Sequence, residues 1–391
     1  MNFFDANLQG MHLICMIVLG IYLACVIILF MQYFQFLNLK MDETPLDTSS
    51  QKPISVVIAT RNEHEQLRQN LPFFFNQNYA NFEVVVVIDD SDKDLAYIMQ
   101  EFEKQYPNLK TVSFEWSRNF FVSPRFAESI GIKSATYDRI LLGNITTRPA
   151  SPDWIARMSN ALSGDKEIVL GYHTAASKAS FANALIRFDT FFYALRYLTA
   201  TVFGRPFTAN SKNLAFERSL FYEAQGVAKF YNVNTGDEDM FVNKASTKTN
   251  TTIEIHPDAF VKGQLEPSFN DWFECKIRHR VLFKEFKTQN RVRLAGYELS
   301  SVLFYCITIL AVCCFFLAEP EFSDVVFKLF IAAGVIFLLK LLAQWIMFKR
   351  MMKTFGEHGF LLFIPIYDIV MLILQPVLLL SGLFTKRITW K

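Results

Sequence analysis

Cysteine is scarce and unpatterned in this chain. Six Cys occur in 391 residues, with no CxxC pair, which excludes a disulfide framework or a zinc knuckle as the organising principle. Five of them (Cys15, Cys25, Cys306, Cys313 and Cys314) fall inside apolar runs, where a thiol behaves as a small hydrophobe. Internal repeats and low-complexity tracts are also missing, so neither a repeat array nor a compositionally biased tail is expected. Charge is nearly balanced at +2, and no nucleic-acid partner is expected. More telling is where charge is absent altogether. From Met11 to Phe34 there is no Asp, Glu, Lys or Arg, and this run exceeds the ~20 residues that cross a hydrocarbon core. A cleaved signal peptide is the competing reading. It is disfavoured because no Lys or Arg precedes the run, the run is long, and no small-residue cleavage site follows.

What is present in excess is apolar. Hydrophobic residues make up 52% of the chain and Phe alone contributes 41 copies, more than a soluble protein of this size carries. Leu299 to Ala318 is a second span, free of charge, and Val325 to Phe348 is a third, apolar but for two lysines. In the third, Lys328 lies near one end, and Lys340 is expected to snorkel toward the other. Gly359 to Phe384 is a fourth apolar run, interrupted by Pro365, Asp368 and Pro376. Basic residues crowd the entrance to the second span (Lys276, Arg278, Arg280, Lys284, Lys287, Arg291, Arg293) and follow the third (Lys349, Arg350, Lys353), while Glu319 to Asp324 between them is acidic. By the positive-inside rule the polar block is cytoplasmic and the acidic loop external. A full crossing by the fourth run would leave Lys386, Arg387 and Lys391 outside, against that rule. A re-entrant or interfacial segment broken at the prolines is therefore favoured over a crossing.

Residues 53 to about 260 alternate β-branched runs with helical patterns, which argues for a parallel sheet with crossover helices. Ile54 to Ala59 runs into Thr60-Arg61-Asn62-Glu63, and Val84 to Ile88 ends in Asp89-Asp90. Two buried strands with polar tips, each followed by a helix, describe a nucleotide crevice in an open α/β sheet. Acids suit the start of the first helix, after Glu63, and Ser91 to Asp94 caps the second, Leu95 to Lys104. A third helix is expected over Pro124 to Ala135, before a strand at Arg139 to Leu142. Two later stretches are amphipathic, one through Phe181, Leu185, Phe188, Phe192 and Leu195, the other from Trp272 to Phe286. A core-facing helix accounts for either. For the second, basic and adjacent to a span, a helix lying on the membrane surface is preferred.

These features together resemble the inverting family 2 glycosyltransferases of GT-A fold, in their membrane-anchored bacterial form. The resemblance is carried by Pro53 to Glu63, Val87-Ile-Asp-Asp-Ser91, Arg148-Pro-Ala-Ser-Pro-Asp-Trp154, Lys212-Asn-Leu-Ala-Phe216, Gly236-Asp-Glu-Asp239, Cys275-Lys-Ile-Arg-His279 and the terminal Trp390-Lys391. It implies an α/β GT-A domain, related to the Rossmann fold and flanked by transmembrane helices. The donor would be a UDP- or GDP-linked sugar, the acceptor lipid-linked or a glycan, and the setting the bacterial inner (plasma) membrane, with lipids as further partners. Expected boundaries are an anchor over 1–40, the catalytic domain over 41–268, an interfacial basic helix over 269–295, and a membrane region over 296–391 with spans near 299–318, 325–348 and 359–384.

Roles follow from the resemblance. Thr60, Arg61 and Glu63 would lie near the nucleotide, and Asp89 or Asp90 would accept from base or ribose, a loop-capping carboxylate being the alternative. Asn144, Thr146 and Lys212 would also line the donor. Asp237 would be the general base, taking a proton from the acceptor hydroxyl as it attacks the anomeric carbon. Asp239 would orient it, although three acids in four residues also describe a solvated helix start. Arg278, with its planar fork for a diphosphate, and the neighbouring Cys275 and His279 match a Gln-x-x-Arg-Trp element with Gln and Trp replaced. A lipid-headgroup contact is the alternative there. Donor choice would depend on loops such as Gly171 to Thr174.

One departure stands out. The family's Asp-x-Asp falls at Asn144-Ile145-Thr146, and Asn and Thr are poor sole ligands for a hard cation bridging a diphosphate. The basic position before Phe126 is also altered, to Ser123-Pro124-Arg125. Three readings fit. Arg125, Arg148, Lys212 and Arg278 could meet leaving-group charge without a metal. A divalent Mg²⁺ or Mn²⁺ could be held by fewer ligands, Asp90 and the diphosphate among them. Or the domain could be a catalytically inactive scaffold in a polysaccharide or glycolipid assembly complex. Persistence of Asp237 and Asp239 favours an active enzyme. A transporter is disfavoured by so few spans beside a large polar domain.

Overall fold

A computed structural model of the chain describes residues 3–41, 43, 45–46, 51–115, 124–224, 240–264, 268–317 and 323–384. The chain divides into two compact units. One comprises Met1–Asn38, Thr288–Lys353 and Leu361–Gln375, the other Leu39–Lys287, Thr354–Phe360 and Pro376–Lys391. The strands in chain order are β1 (Ile54–Ala59), β2 (Phe82–Asp89), β3 (Leu109–Phe114), β4 (Arg139–Gly143), β5 (Thr147–Pro149), β6 (Ile168–Leu170), β7 (His173–Thr174), β8 (Leu214–Glu217), β9 (Thr251–Ile253) and β10 (Val261–Gly263). The helices are α1 (Phe3–Phe36), α2 (His64–Phe75), α3 (Lys93–Gln105), α4 (Pro124–Ser134), α5 (Trp154–Ala161), α6 (Phe181–Val202), α7 (Arg218–Glu223), α8 (Met240–Ala245), α9 (Phe269–Leu282), α10 (Thr288–Leu317), α11 (Ser323–Phe355) and α12 (Ile364–Phe384).

The larger unit is built on a seven-stranded sheet of order β3-β2-β1-β4-β8-β6-β9. Strands β3, β2, β1 and β4 run parallel, whereas β8 pairs antiparallel with both β4 and β6. Parallel strands are buried on both faces and so read as continuous apolar runs. Val56, Ile58, Val84, Val86 and Ile88 pack with Leu67, Leu71, Phe74, Leu95 and Trp154 in one core cluster. The alternate residues Val57 and Val87 meet α4. A Cβ on Gly131 would lie 2.5 Å from Val57 Cγ1 and 2.9 Å from Val87 Cγ2, so only glycine lets this helix approach so closely. The β1, β2 and β4 strands and the α2 to α4 helices thus form where the sequence pattern puts them, with ends shifted by a few residues. Asp92 caps α3 as expected, its carboxylate accepting from Leu95 N. A small second sheet has the order β5-β10-β7.

The smaller unit consists of apolar helices. Among the described residues, four helical stretches are long and apolar enough to cross a membrane: Leu13–Phe36, Thr288–Leu317, Val326–Phe355 and Leu361–Ser381. On α1 and α10, Tyr22 stacks on Phe304 at 5.0 Å and its hydroxyl lies 2.9 Å from Thr308 Oγ1. Two expectations need correction here. Lys340 does not snorkel to an end. It is 1% exposed and its ammonium donates to Asp368 Oδ2 (2.6 Å), Gln344 Oε1 (2.8 Å) and Tyr305 Oη (2.9 Å). A charge among apolar helices is costly unless paired in this way, and Asp368 from α12 supplies the pairing. Nor is the fourth run broken at its prolines. Pro365 falls in the first turn of α12, where its missing N–H leaves no bond unmade, and the helix continues through Pro376.

Candidate active site

Because β1, β2 and β4 are parallel neighbours, their C-terminal tips open at one edge of the sheet. Leu142 of β4 pairs with Leu214 of the antiparallel β8, and Leu170 of β6 also pairs with Leu214. That register brings the turn preceding β8 and the loop following β6 to the same edge. Five of the expected positions therefore gather there: Thr60 to Glu63, Asp89-Asp90, Asn144 to Thr146, Lys212, and Gly171 to Thr174.

At the β1 tip, Thr60 is buried and its hydroxyl donates to Glu63 Oε2 at 3.0 Å. Asn62 between them has φ 56°, a left-handed turn that asparagine tolerates better than most residues. It reverses the chain into α2. Arg61 is half-buried. At the β2 tip, Asp89 is 6% exposed, and its Oδ1 accepts from Ser91 N (3.0 Å) and Ser91 Oγ (2.8 Å). Asp90 is exposed, and its carboxylate makes no hydrogen bond among the described residues. Asp89 thus closes its own turn, and Asp90 is the exposed acid at this edge.

The β4 tip repeats the β2 motif without charge. Asn144 Oδ1 accepts from Thr146 N (2.9 Å) and Thr146 Oγ1 (2.5 Å). Ile145 between them is fully buried, with its carbonyl taken by Asn70 Nδ2 at 2.8 Å. Beside β4 lies the 3₁₀ turn Ser211–Asn213, capped by Asn210 Oδ1, which accepts from Lys212 N at 3.0 Å. Lys212 itself is half-buried. The next residue, Asn213, is a junction that sequence reasoning quoted within a motif but gave no role. Its Nδ2 donates to Tyr172 O (2.9 Å) and Ala259 O (2.8 Å), and its Oδ1 accepts from Trp154 Nε1 (3.0 Å). Two of the quoted motifs, Asp153-Trp154 and Lys212-Asn213, are thereby tied together.

The α9 residues are gathered on α6. Trp272 Nε1 donates to Asp189 Oδ2 at 2.7 Å, Lys276 pairs with the same carboxylate, and His279 stacks on Tyr193 at 4.3 Å. Cys275 Sγ lies 3.4 Å from His279 Nε2, and Arg278 is half-buried beside them. The His279 ring thus presents a flat face to another ring, as the Trp it replaces could. Arg148, proposed as a leaving-group cation, lies over the Phe73 ring at 5.0 Å.

Asp237, Asp239, the Ser123 to Arg125 side chains and the Trp390-Lys391 tail lie outside the described residues. Sequence reasoning also missed His64, which follows the β1 turn. Its Nε2 meets both oxygens of Asp92, at 2.8 Å and 3.0 Å, linking the starts of α2 and α3. Burial pushes the Asp92 carboxyl up, but hydrogen bonds from His64 and Leu95 N outweigh it and hold the group below its ordinary value. The signal available was two polar residues, each one step beyond a strand-tip turn.

Among the described residues, no three His, Cys, Asp or Glu side chains come together as a metal site. At the β4 tip the donors are neutral, and Asn144 Oδ1 is already engaged twice, so this turn is not built to hold a divalent cation.

A model of glycosyl transferase family 21 matches residues 14–391. The chain belongs to glycosyl transferase family 21. The motif resemblance pointed to family 2, and the two agree on a glycosyltransferase. In fold the chain is similar to the mannosyltransferase PcManGT from Pyrobaculum calidifontis, solved with GDP-Man and Mn²⁺. The two are 14% identical over 93% of this chain and 99% of that one, with a TM-score of 0.56. Two structures of S. aureus TarS, one of residues 1–349 with UDP-GlcNAc, align at 13% identity. Their TM-scores are 0.39 and 0.40, covering 69% and 78% of this chain and 46% and 89% of the TarS chains. The mixed α/β architecture with its parallel-rich sheet is shared with PcManGT.

Proposed function

We propose that this chain is an inverting, membrane-anchored GT-A glycosyltransferase. It moves a sugar from a UDP- or GDP-linked donor to a lipid-linked or glycan acceptor at the cytoplasmic face of a bacterial plasma membrane. The observation that carries this reading is the sheet edge where the β1, β2 and β4 tips converge with Lys212, within a chain matched to a glycosyltransferase family from residue 14 to its end. Open α/β sheets bind nucleotides at such an edge. GDP-Man in PcManGT supports a nucleotide-sugar donor.

In this reading Thr60, Arg61, Glu63 and Asp90 face the nucleoside, while Asp89 shapes the β2 turn. Asp237 takes the proton from an acceptor hydroxyl, whose oxygen attacks the anomeric carbon. The bond from that carbon to the diphosphate oxygen breaks, the nucleoside diphosphate leaves and the centre inverts. Lys212 and Arg278 meet the charge that develops on the leaving diphosphate. They take the part that a charged β4 tip would otherwise play through a metal. Asp239 orients Asp237, and α9, basic and next to α10, lies at the membrane surface.

The test is Asp237→Asn. Transfer should fall by about a thousandfold or more, while affinity for the nucleotide sugar stays within about twofold, because the base acts on the acceptor. Full activity in that variant removes Asp237 from the mechanism. A reporter fused near Glu321 should read as external, and a cytoplasmic signal there reverses the topology.

A further inference from the structure

The segment Thr354–Phe360, which runs from the last two residues of the apolar α11 toward the apolar α12, belongs to the compact unit that carries the sheet. It is held there by a buried charge cluster. Glu357 is 8% exposed. Its Oε2 accepts from Arg187 Nη2 of α6 at 2.6 Å, and its Oε1 accepts from Tyr172 Oη at 2.8 Å. The second arm of Arg187 donates to Ser177 Oγ at 3.0 Å, and its guanidinium lies over the Phe360 ring at 5.3 Å. Phe355 meets the edge of Tyr172 at 4.8 Å and stacks on Phe260 at 5.9 Å. Gly356 and Gly359 flank the acid with φ of +69° and +86°, values that side chains rarely adopt. The Gly-Glu-His-Gly turn is therefore shaped to deliver one carboxylate inward.

What the carboxylate grips is the loop after β6, at the edge read above as the donor site. Tyr172 accepts through its own carbonyl from Asn213 Nδ2 at 2.9 Å, and Gly171 N donates to Asn213 O at 2.9 Å. A Cβ on Gly171 would collide with the Asn213 amide at 2.3 Å, so loop and turn are in direct contact. One residue on, His173 Nδ1 faces Asn210 Nδ2 at 3.3 Å, and Asn210 caps the turn at Lys212 N. Burial first, and then the Glu357 carboxylate, pushes the Tyr172 phenol well above its ordinary value, so it remains a donor to Glu357. An apolar trio of similar volume often stabilises a core as well as a buried ion pair does. What the charged cluster adds is one fixed geometry.

We propose that Glu357, itself fixed by Arg187, is a positioning residue: through Tyr172 it sets the Asn210–Asn213 turn and hence the placement of Lys212. This rests on the reading of that edge as the donor site.

The experiment has two arms, both on the full chain in detergent. Hydrogen exchange comes first. Glu357→Gln should speed exchange about tenfold or more at the amides of Lys212 and Asn213, along with those of 171–173. Faster exchange confined to 354–360 overturns the proposal. Should Glu357→Gln fold poorly, Tyr172→Phe removes only the hydroxyl link and should give the same pattern at 210–213. The second arm is a double-mutant cycle with Lys212→Ala, read as binding of GDP-mannose and of UDP-N-acetylglucosamine. Glu357→Gln should weaken whichever donor binds by about tenfold alone and by less than twofold in the Lys212→Ala background. Independent, multiplying effects overturn the proposal. If the unmodified chain binds neither nucleotide sugar, nor any other, the donor reading fails, while the exchange arm still decides whether Glu357 sets the turn.

Discussion

The tips of β2 and β4 stand at one edge of one sheet and use one local device. In each, the side-chain oxygen of the first residue accepts both the backbone N–H and the hydroxyl of the residue two further on: Asp89 from Ser91, Asn144 from Thr146. Such turns need an oxygen, not a charge. The difference lies in what surrounds the device. After Asp89 comes the exposed Asp90, whereas after Asn144 comes the buried Ile145. The third position is a hydroxyl that donates inward at both tips, Ser91 and Thr146. Both turns are thus closed, and only the charged tip carries an acid facing outward. An uncharged tip therefore leaves no hole in the fold, because the turn satisfies itself without an acid.

The largest expected effect separates charge from shape at the charged tip. Asp90→Asn should weaken donor affinity by about tenfold to a hundredfold with no loss of thermal stability, as for a charged hydrogen bond of ~1.5–3 kcal/mol removed from a surface site. Unchanged donor binding would make the two tips equivalent. Next, Thr146→Val removes the hydroxyl that closes the neutral turn. It should cost about 1 kcal/mol in denaturant unfolding, and no cost would mean the turn is held by Asn70 and β5 alone. A similar loss of about 1 kcal/mol is expected for Asp92→Ala, which deletes the α3 cap. Its pH dependence sharpens the test. Since the folded-state pKa of Asp92 is held below the unfolded value, its contribution is complete at neutral pH. It fades only as pH falls below about 4, the ordinary carboxylate value, toward the folded one. The stability gap between Asp92→Ala and the unmodified chain should therefore close in acid; a gap that widens there contradicts the pairing. The smallest effect concerns metal. Chelation should change the rate of transfer by less than about twofold, because the β4 tip offers a divalent cation no charged ligand. Complete loss, restored by Mn²⁺ or Mg²⁺, would show that other side chains hold one.

Much of the fold was legible because its causes are local. Ile54–Ala59 and Phe82–Asp89 are buried on both faces, so their apolar runs announce central parallel strands. Asp92 could be read as a cap from its place before a helical pattern. The four long apolar helices follow from length and absence of charge alone. What escaped depends on distant partners. Lys340 looks like a snorkelling residue until Asp368, 28 positions away, is seen to neutralise it. Nothing in the segment around Glu357 shows that its carboxylate meets Arg187, 170 positions earlier. Asn213 was visible as part of a motif, but its three hydrogen bonds to residues 41 to 59 positions away were not. At the site itself, the positions of the strand tips were readable from pattern. The Asx-type closure of Asn144 on Thr146 needed backbone geometry.

If the strand-tip edge is the donor site for a nucleotide sugar, the chain must bind one there and release its nucleoside diphosphate. The most direct measurement is nucleoside diphosphate release by the detergent-purified full chain, screened across UDP- and GDP-sugars with and without chelator. The account predicts that one donor is bound and turned over, and that turnover continues in chelator. A well-folded sample that neither binds nor turns over any of these donors would contradict it.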